Sequence, residues 1–239
     1  MLKNYIAQTI HVALDFDGCI AIGEHVKIKY AKEYHKININ PRTCMSETYP
    51  LGSVMYKQLM DKVTVQHMDE YILDPHCKEV LNALCKESFR FTIITSRANQ
   101  SLEACKIFVK KHHLPIEAIY GTNDQAKADM CRKIHARAII DDSLKKLFEL
   151  IDTPVHLFFL EREWNTHENT GKGLKGQISS ISVWSEFAQK LREMKEMHEA
   201  ICFYKNWINS DAKMQEIYNT IKKDTFLAQR SLQEYRRKQ

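Results

Sequence analysis

Two carboxylates one residue apart, Asp15 and Asp17, follow directly on the short apolar run Val12-Ala13-Leu14, in the stretch His11-Val12-Ala13-Leu14-Asp15-Phe16-Asp17-Gly18-Cys19-Ile20. On an extended chain both side chains point the same way, and Gly18 permits a sharp turn just beyond them. Two acids so placed can share a divalent cation, or act as nucleophile and proton donor. Asp-Gly after a strand is also an ordinary turn, so this stretch alone leaves both readings open. The tip of a parallel strand is, however, where open α/β sheets place their ligands.

Three further stretches repeat the pattern. Phe91-Thr92-Ile93-Ile94-Thr95-Ser96-Arg97 is an apolar strand ending in hydroxyls and a guanidinium. Lys127 opens a helical pattern over residues 128–135, and Ala138-Ile139-Ile140-Asp141-Asp142-Ser143 is a strand ending in adjacent carboxylates. Each polar group lies at the end of a strand or the start of a helix. The order Asp-x-Asp, Thr, Lys, Asp-Asp resembles the haloacid dehalogenase (HAD) superfamily of phosphatases over roughly the first four-fifths of the chain.

That resemblance implies a role for each residue. Asp15 is the expected nucleophile, forming an aspartyl-phosphate, and Asp17 the acid and base for leaving group and water. Thr95 and Lys127 are expected to hold the phosphoryl group. Magnesium is the implied cofactor, held by Asp15, the backbone carbonyl of Asp17, and Asp141, with Asp142 binding the ion or its waters. Ser96 and Arg97 either touch substrate or tie down the turn. Lys133 is the alternative to Lys127, which is preferred because a residue at a helix start projects into the strand-end crevice. A dehalogenase is disfavoured, since Asp17 supplies the acid that phosphate esters need. A fold that binds without turnover is the other class of reading.

Strands alternating with helical stretches predict parallel βαβ units in a doubly wound α/β sheet, HAD-like and Rossmannoid. Between the first two motifs, residues 21–73 change character. Helices are predicted near 24–35, 54–62 and 65–72, and the resemblance makes this block a small helical cap over the site. Its residues 27–42 hold five basic side chains, Lys27, Lys29, Lys32, Lys36 and Arg42, against Glu33 alone. A solvated helix face explains such a cluster; an anionic substrate or surface is the sharper reading. Asp74-Pro75 predicts a capped helix start, with Val80, Leu81, Leu84 and Cys85 as its buried stripe. Residues 161–177 read as a long polar loop, and its Gly171-Lys172-Gly173 lacks the ending of a nucleotide P-loop.

From Ser185 an apolar stripe, Phe187, Leu191, Met194, Met197, Ile201, Tyr204 and Ile208, alternates at spacings of four and three. A second helix follows with Met214, Ile217 and Ile221. The expected organisation is a phosphatase core over 1–195, including the cap at 21–73, and a C-terminal helical extension over 196–239. The extension folds back on itself or the core, or docks to a protein or an anionic membrane.

Composition bounds the rest. The 44% apolar and 27% charged fractions are those of a globular chain, and no apolar run approaches the length of a membrane span. A net charge of +5 favours anionic partners mildly and falls short of a nucleic-acid footprint. Seven scattered cysteines without a Cys-x-x-Cys pair point to a reducing, cytoplasmic compartment. Cys19 reads as a small buried hydrophobe rather than a second nucleophile. Partners are thus expected to be a phosphorylated protein or small molecule, and no nucleic acid. The motifs look similar to the deoxynucleotidase-like branch of the family. The basic helical tail resembles secreted effector phosphatases of that branch, some acting on phosphotyrosine in proteins, so export into a host cell is the alternative location.

Overall fold

A computed structural model describes residues 9–165, 177–210, 216, 219 and 220, with backbone alone for 203–210. The chain forms two units, Met1–Gln189 and Lys190–Gln239.

In the first unit the central apolar runs, within residues 10–14, 89–95 and 138–141, become strands buried on both faces, as a sheet covered by helices requires. Six parallel strands, β1 (Ile10–Leu14), β4 (Phe89–Thr95), β5 (Ile116–Gly121), β6 (Ala138–Asp141), β7 (His156–Leu160) and β8 (Ile178–Ile181), lie in the order β5-β4-β1-β6-β7-β8. From β1 the chain runs outward through β4 and β5, then returns to β6 on the other side of β1. That reversal opens a crevice beyond the carboxyl ends of β1 and β6. The register pairs Leu14 with both Ile93 and Ile140, so Asp15, Thr95 and Asp141 emerge together at one edge.

Residues between β1 and β4 form a separate layer. Two short strands, β2 (Ala21–Ile22) and β3 (Ile72–Leu73), pair antiparallel and close its base. Between them stand α1 (Glu24–His35) and α2 (Gly52–Gln66). The first helix has the predicted bounds. The second is longer than predicted, starting at Gly52, whose φ of +80° suits glycine. No third helix forms over 65–72. That stretch instead divides among the end of α2, a short 3₁₀ turn at Met68–Glu70, and β3.

The remaining helices are α3 (Cys77–Lys86), α4 (Asn99–Lys111), α5 (Ala128–Lys133), α6 (Leu144–Phe148) and α7 (Trp184–Ser210). Asp74 does not cap α3; His76 stands at its N-cap. The Asp74 carboxylate is taken by Arg162 instead, a long-range partner that outcompetes a local cap. In the α3 stripe Leu81 and Leu84 are buried with Cys77, while Val80 and Cys85 are only part-buried. Helix α7 crosses the boundary between the units, and its expected partner carrying Met214, Ile217 and Ile221 lies outside the described residues, as does Gly171-Lys172-Gly173. No helix among the described residues is long and apolar enough to cross a membrane.

Candidate active site

Beyond the carboxyl ends of β1, β4 and β6 lies a cavity of about 650 Å³. Its floor carries Asp15, Asp17, Thr95, Ser96, Arg97, Lys127, Asp141 and Asp142, and α1, α2 and the loop between them supply the opposite wall. All eight residues predicted for the site therefore line one space.

Lys127 is the hinge of the floor. It stands just before α5, fully buried, and its Nζ donates to Asp15 Oδ1 and, at 2.7 Å, to Asp141 Oδ2. Asp141 is held from its other oxygen by the Ser143 N–H at 2.9 Å. Two flanking carboxylates push the Lys127 amine well above its ordinary range, overcoming the opposing effect of burial. Lys133 is exposed and lies over the Tyr120 ring, 5.5 Å from its centroid.

The two acids of the Asp-x-Asp pair meet different environments. Burial pushes the Asp15 carboxyl up to about 7; Lys127 pulls it down, and repulsion from Asp141 and Asp17 adds to the rise. Asp17 is 29% exposed and is gripped by Arg97, Nε and Nη2 each donating at 2.8 Å to a different carboxylate oxygen. Burial raises the Asp17 pKa, but the Arg97 charge and hydrogen bonds outweigh it and hold the group below its ordinary value. Arg97 itself is spent on protein. Its Nη1 donates to the Thr64 and Ser101 carbonyls and to Met68 Sδ, and its guanidinium lies over the Phe16 and Tyr71 rings. Of the two roles left open for Arg97, this geometry is that of a group tying down the turn. The Thr95 hydroxyl oxygen accepts from the Arg97 N–H at 3.3 Å, and Ser96 is half-buried at the rim.

Asp142 closes the floor. Trp164 Nε1 donates to its Oδ2 at 2.7 Å and Asn165 Nδ2 to its backbone oxygen at 2.7 Å. Burial, with repulsion from Asp15 and Asp141, drives its pKa well above the usual carboxylate range. Gly18 is required here on two counts: its φ is +77°, and a Cβ would sit 2.0 Å from Asp142 Oδ2. Arg162 fastens the same turn, donating to the Gly18 carbonyl at 3.1 Å while pairing with Asp74.

The donor set fits a hard divalent cation. Asp15, Asp141 and Asp142 bring three buried carboxylates to one corner against a single ammonium, and their mutual repulsion is what a dication relieves. Ligand atoms of Asp15, Cys19 and Asp142 lie within 4.8 Å of one another. Burial and the neighbouring acids push the Cys19 thiol far up, so it stays protonated and is a poor ligand for a hard ion.

Three contributors are absent from the sequence analysis. Arg162, Trp164 and Asn165 sit in the polar loop read as featureless, and their partners at Gly18, Asp74 and Asp142 are far away in the chain. No local signal announces them. On the opposite wall Lys27, one of the basic cluster over residues 27–42, is buried at 5% exposure and lines the cavity with Tyr56. A signal for Lys27 was present: it shares one helix face with Tyr30, Ala31 and Tyr34, whereas Lys29, Lys32 and Lys36 are exposed or half-exposed.

No family model and no curated protein matches the chain. Solved structures do. A predicted phosphatase from Clostridium acetobutylicum superposes with a TM-score of 0.59 at 14% identity, covering 77% of this chain and 99% of that one. A HAD family hydrolase from Deinococcus radiodurans, with bound phosphate and sodium, gives 0.56 at 13% identity over 78% and 96%. The HAD-hydrolase YfnB from Bacillus subtilis, bound to magnesium, gives 0.54 at 12% identity over 77% and 99%. Identities this low establish architecture and nothing finer: the chain has the α/β fold of the HAD-superfamily hydrolases.

Proposed function

We propose that the chain is a magnesium-dependent phosphatase that hydrolyses a phosphate monoester through an aspartyl-phosphate. The observation that carries this reading is the convergence of Asp15, Lys127 and Asp141, joined by hydrogen bonds, with Thr95 and Asp17 facing the same cavity.

Asp15 attacks phosphorus through a carboxylate oxygen, and the bond from phosphorus to the leaving oxygen breaks. Lys127 keeps the nucleophile anionic and oriented, and its charge offsets that of the phosphoryl oxygens. Thr95 donates its hydroxyl to one of those oxygens. Asp17 gives the leaving oxygen a proton, then takes one from the water that attacks the aspartyl-phosphate, which releases inorganic phosphate and restores Asp15. Arg97 holds Asp17 in the ionised, proton-accepting form; to donate to the leaving group Asp17 must first take up a proton, from solvent or from a monoanionic phosphate ester, as that pair loosens. Asp15, Asp141, Asp142 and the Asp17 carbonyl are the groups to hold magnesium, which when bound neutralises phosphoryl charge beside an anionic nucleophile.

Phosphotyrosine in a protein is the first substrate reading and a nucleotide 5′-phosphate the second. The test is turnover of phenyl phosphate, a phosphotyrosine peptide and nucleoside 5′-monophosphates, with magnesium and with chelator. Hydrolysis that disappears in chelator and returns with magnesium is expected. Full activity in chelator, or none on the whole panel, removes the reading.

A further inference from the structure

Lys27 is a buried ammonium on α1, hydrogen-bonded to the Tyr56 phenol. Among the described residues its ammonium enters no ion pair, although it is buried in the wall of the cavity. Around it stand Tyr56, whose ring centroid is 5.9 Å from Nζ, together with Cys44 and Tyr71, and Glu24 one turn back on α1. At neutral pH the phenols and the thiol carry no charge, since burial pushes Tyr56, Tyr71 and Cys44 all upward. Glu24 is the single acid among these neighbours, and burial raises its pKa. A buried ammonium without a paired carboxylate is expensive.

The contrast with Lys127 sharpens the point. Lys127 serves the floor and holds two carboxylates. Lys27 faces the floor from the cap, close enough for its charge to act on Asp17 and Asp142. It therefore lines the same cavity as Asp17 and Asp142, and the leaving group must lie beside Asp17 if Asp17 protonates it. The wall of the cavity carries Met45, Tyr56 and Met60 alongside Ser46, Ser53, Glu47, Asp61 and the exposed Lys57, and on that wall Lys27 is the buried cation, where its charge is least screened by water.

We propose that Lys27 recognises a second anionic group on the leaving-group side of the substrate, so that the enzyme prefers phosphate monoesters whose alcohol or phenol carries a carboxylate or a further phosphate. The inference rests on the phosphatase reading above. It applies equally to a phosphotyrosine flanked by an acidic group and to a small bisphosphate.

The test compares kcat/KM for phenyl phosphate, its 3- and 4-carboxy derivatives and 1,4-phenylene bisphosphate, in the wild-type protein and in Lys27→Met and Lys27→Arg, all with magnesium. Wild type is expected to favour at least one dianion-bearing substrate over phenyl phosphate by about tenfold or more, the scale of one charged hydrogen bond. The carboxylates and the bisphosphate separate the two sources of negative charge. Lys27→Met should collapse that preference at least tenfold more than it alters phenyl phosphate turnover, and Lys27→Arg should restore part of it. Because it removes a buried charge that enters no ion pair, Lys27→Met should keep or raise Tm. A wild-type enzyme that turns over phenyl phosphate without preferring any anionic derivative overturns the inference while leaving the phosphatase reading intact. So does a preference that survives in Lys27→Met, or a fall in Tm of more than about 5 °C, which would mark Lys27 as a structural group. Absence of turnover on every substrate removes the phosphatase reading itself.

Discussion

The floor and the wall of one cavity each bury a lysine, and they treat it in opposite ways. On the floor, Lys127 is neutralised twice over by Asp15 and Asp141, so its charge is already spent on holding the acids in place. On the opposite wall, Lys27 enters no ion pair among the described residues and stands beside the Tyr56 and Tyr71 phenols, the Cys44 thiol and Glu24. A charge that is fully paired organises the protein; a charge left unpaired at the edge of a cavity is available to a ligand. Asp15 and Asp17 also differ in their partners: Asp15 shares the buried Lys127 with Asp141, whereas Asp17 has the Arg97 guanidinium on both of its oxygens. Tertiary partners, rather than residue type, separate these roles.

The comparison can be broken most severely at the nucleophile. Asp15→Asn should fold and lose at least about 10³-fold in turnover, because an amide cannot form the acyl phosphate; rapid-quench labelling with a phosphorylated substrate would show no protein-bound phosphate. Retention of near wild-type turnover would place the nucleophile elsewhere.

Removing Lys127 should hurt twice, in contrast to Lys27. Lys127→Met leaves Asp15 and Asp141 facing each other in a buried site, so urea unfolding in chelator should show a loss of about 3–5 kcal/mol, along with activity. If instead Lys127→Met proves as stable as Lys27→Met, the two walls are not distinguished by pairing.

Gly18→Ala tests how tightly the floor is built. A left-handed φ and a Cβ colliding with Asp142 should together cost roughly 3 kcal/mol and lower metal-dependent activity, because Asp142 must move. An Asp142 that tolerates the methyl group would show the turn to be looser than drawn.

The subtlest expectation concerns pH in chelator, where Asp15 and Asp17 act with opposite sign. Asp15 is raised in the folded state from 3.8 to about 7. Between those values the folded protein binds more protons than the unfolded chain, so this group lowers stability as pH rises through that window. Asp17 is depressed; its contribution is present above the unfolded carboxylate value and is lost as pH falls through its folded one. The Tm of Asp15→Asn relative to wild type should therefore climb from pH 4 to 7. Arg97→Met should lose its stability deficit below the acid limb, where wild type has also lost the Asp17 pair. Parallel Tm curves for wild type and Asp15→Asn would contradict the assignment of Asp15 as the group that burial perturbs.

Much of this molecule could be read from its chain. Short strand-like runs, residues 12–14, 91–94 and 138–140, leading into Asp15, Thr95 and Asp141 forecast a parallel sheet with its polar groups at one edge, because strand hydrophobicity and position at a strand end are local properties. The eight residues that line the cavity floor were named from such positions together with the resemblance to the HAD phosphatases, and α1 was bounded by its periodicity. What failed were decisions made between distant segments. Asp74-Pro75 carries every local mark of a helix cap, yet Arg162 captures the carboxylate, since a buried ion pair outweighs one capping bond. Residues 65–72 have helical spacing but end in β3, because pairing with β2 satisfies backbone groups that a third helix would leave facing the cap's base. The loop bearing Trp164 and Asn165 holds Asp142 across a separation of more than twenty residues, with no pattern at either end. Lys27 stands between these cases: its phase on α1 was legible, but that its face would close a cavity rather than a solid core depended on where α2 came to rest. Sequence settles what each segment can offer; only the tertiary structure settles which charges are paired and which remain for a substrate, because pairing is a contest among groups that the chain brings together only once it has folded.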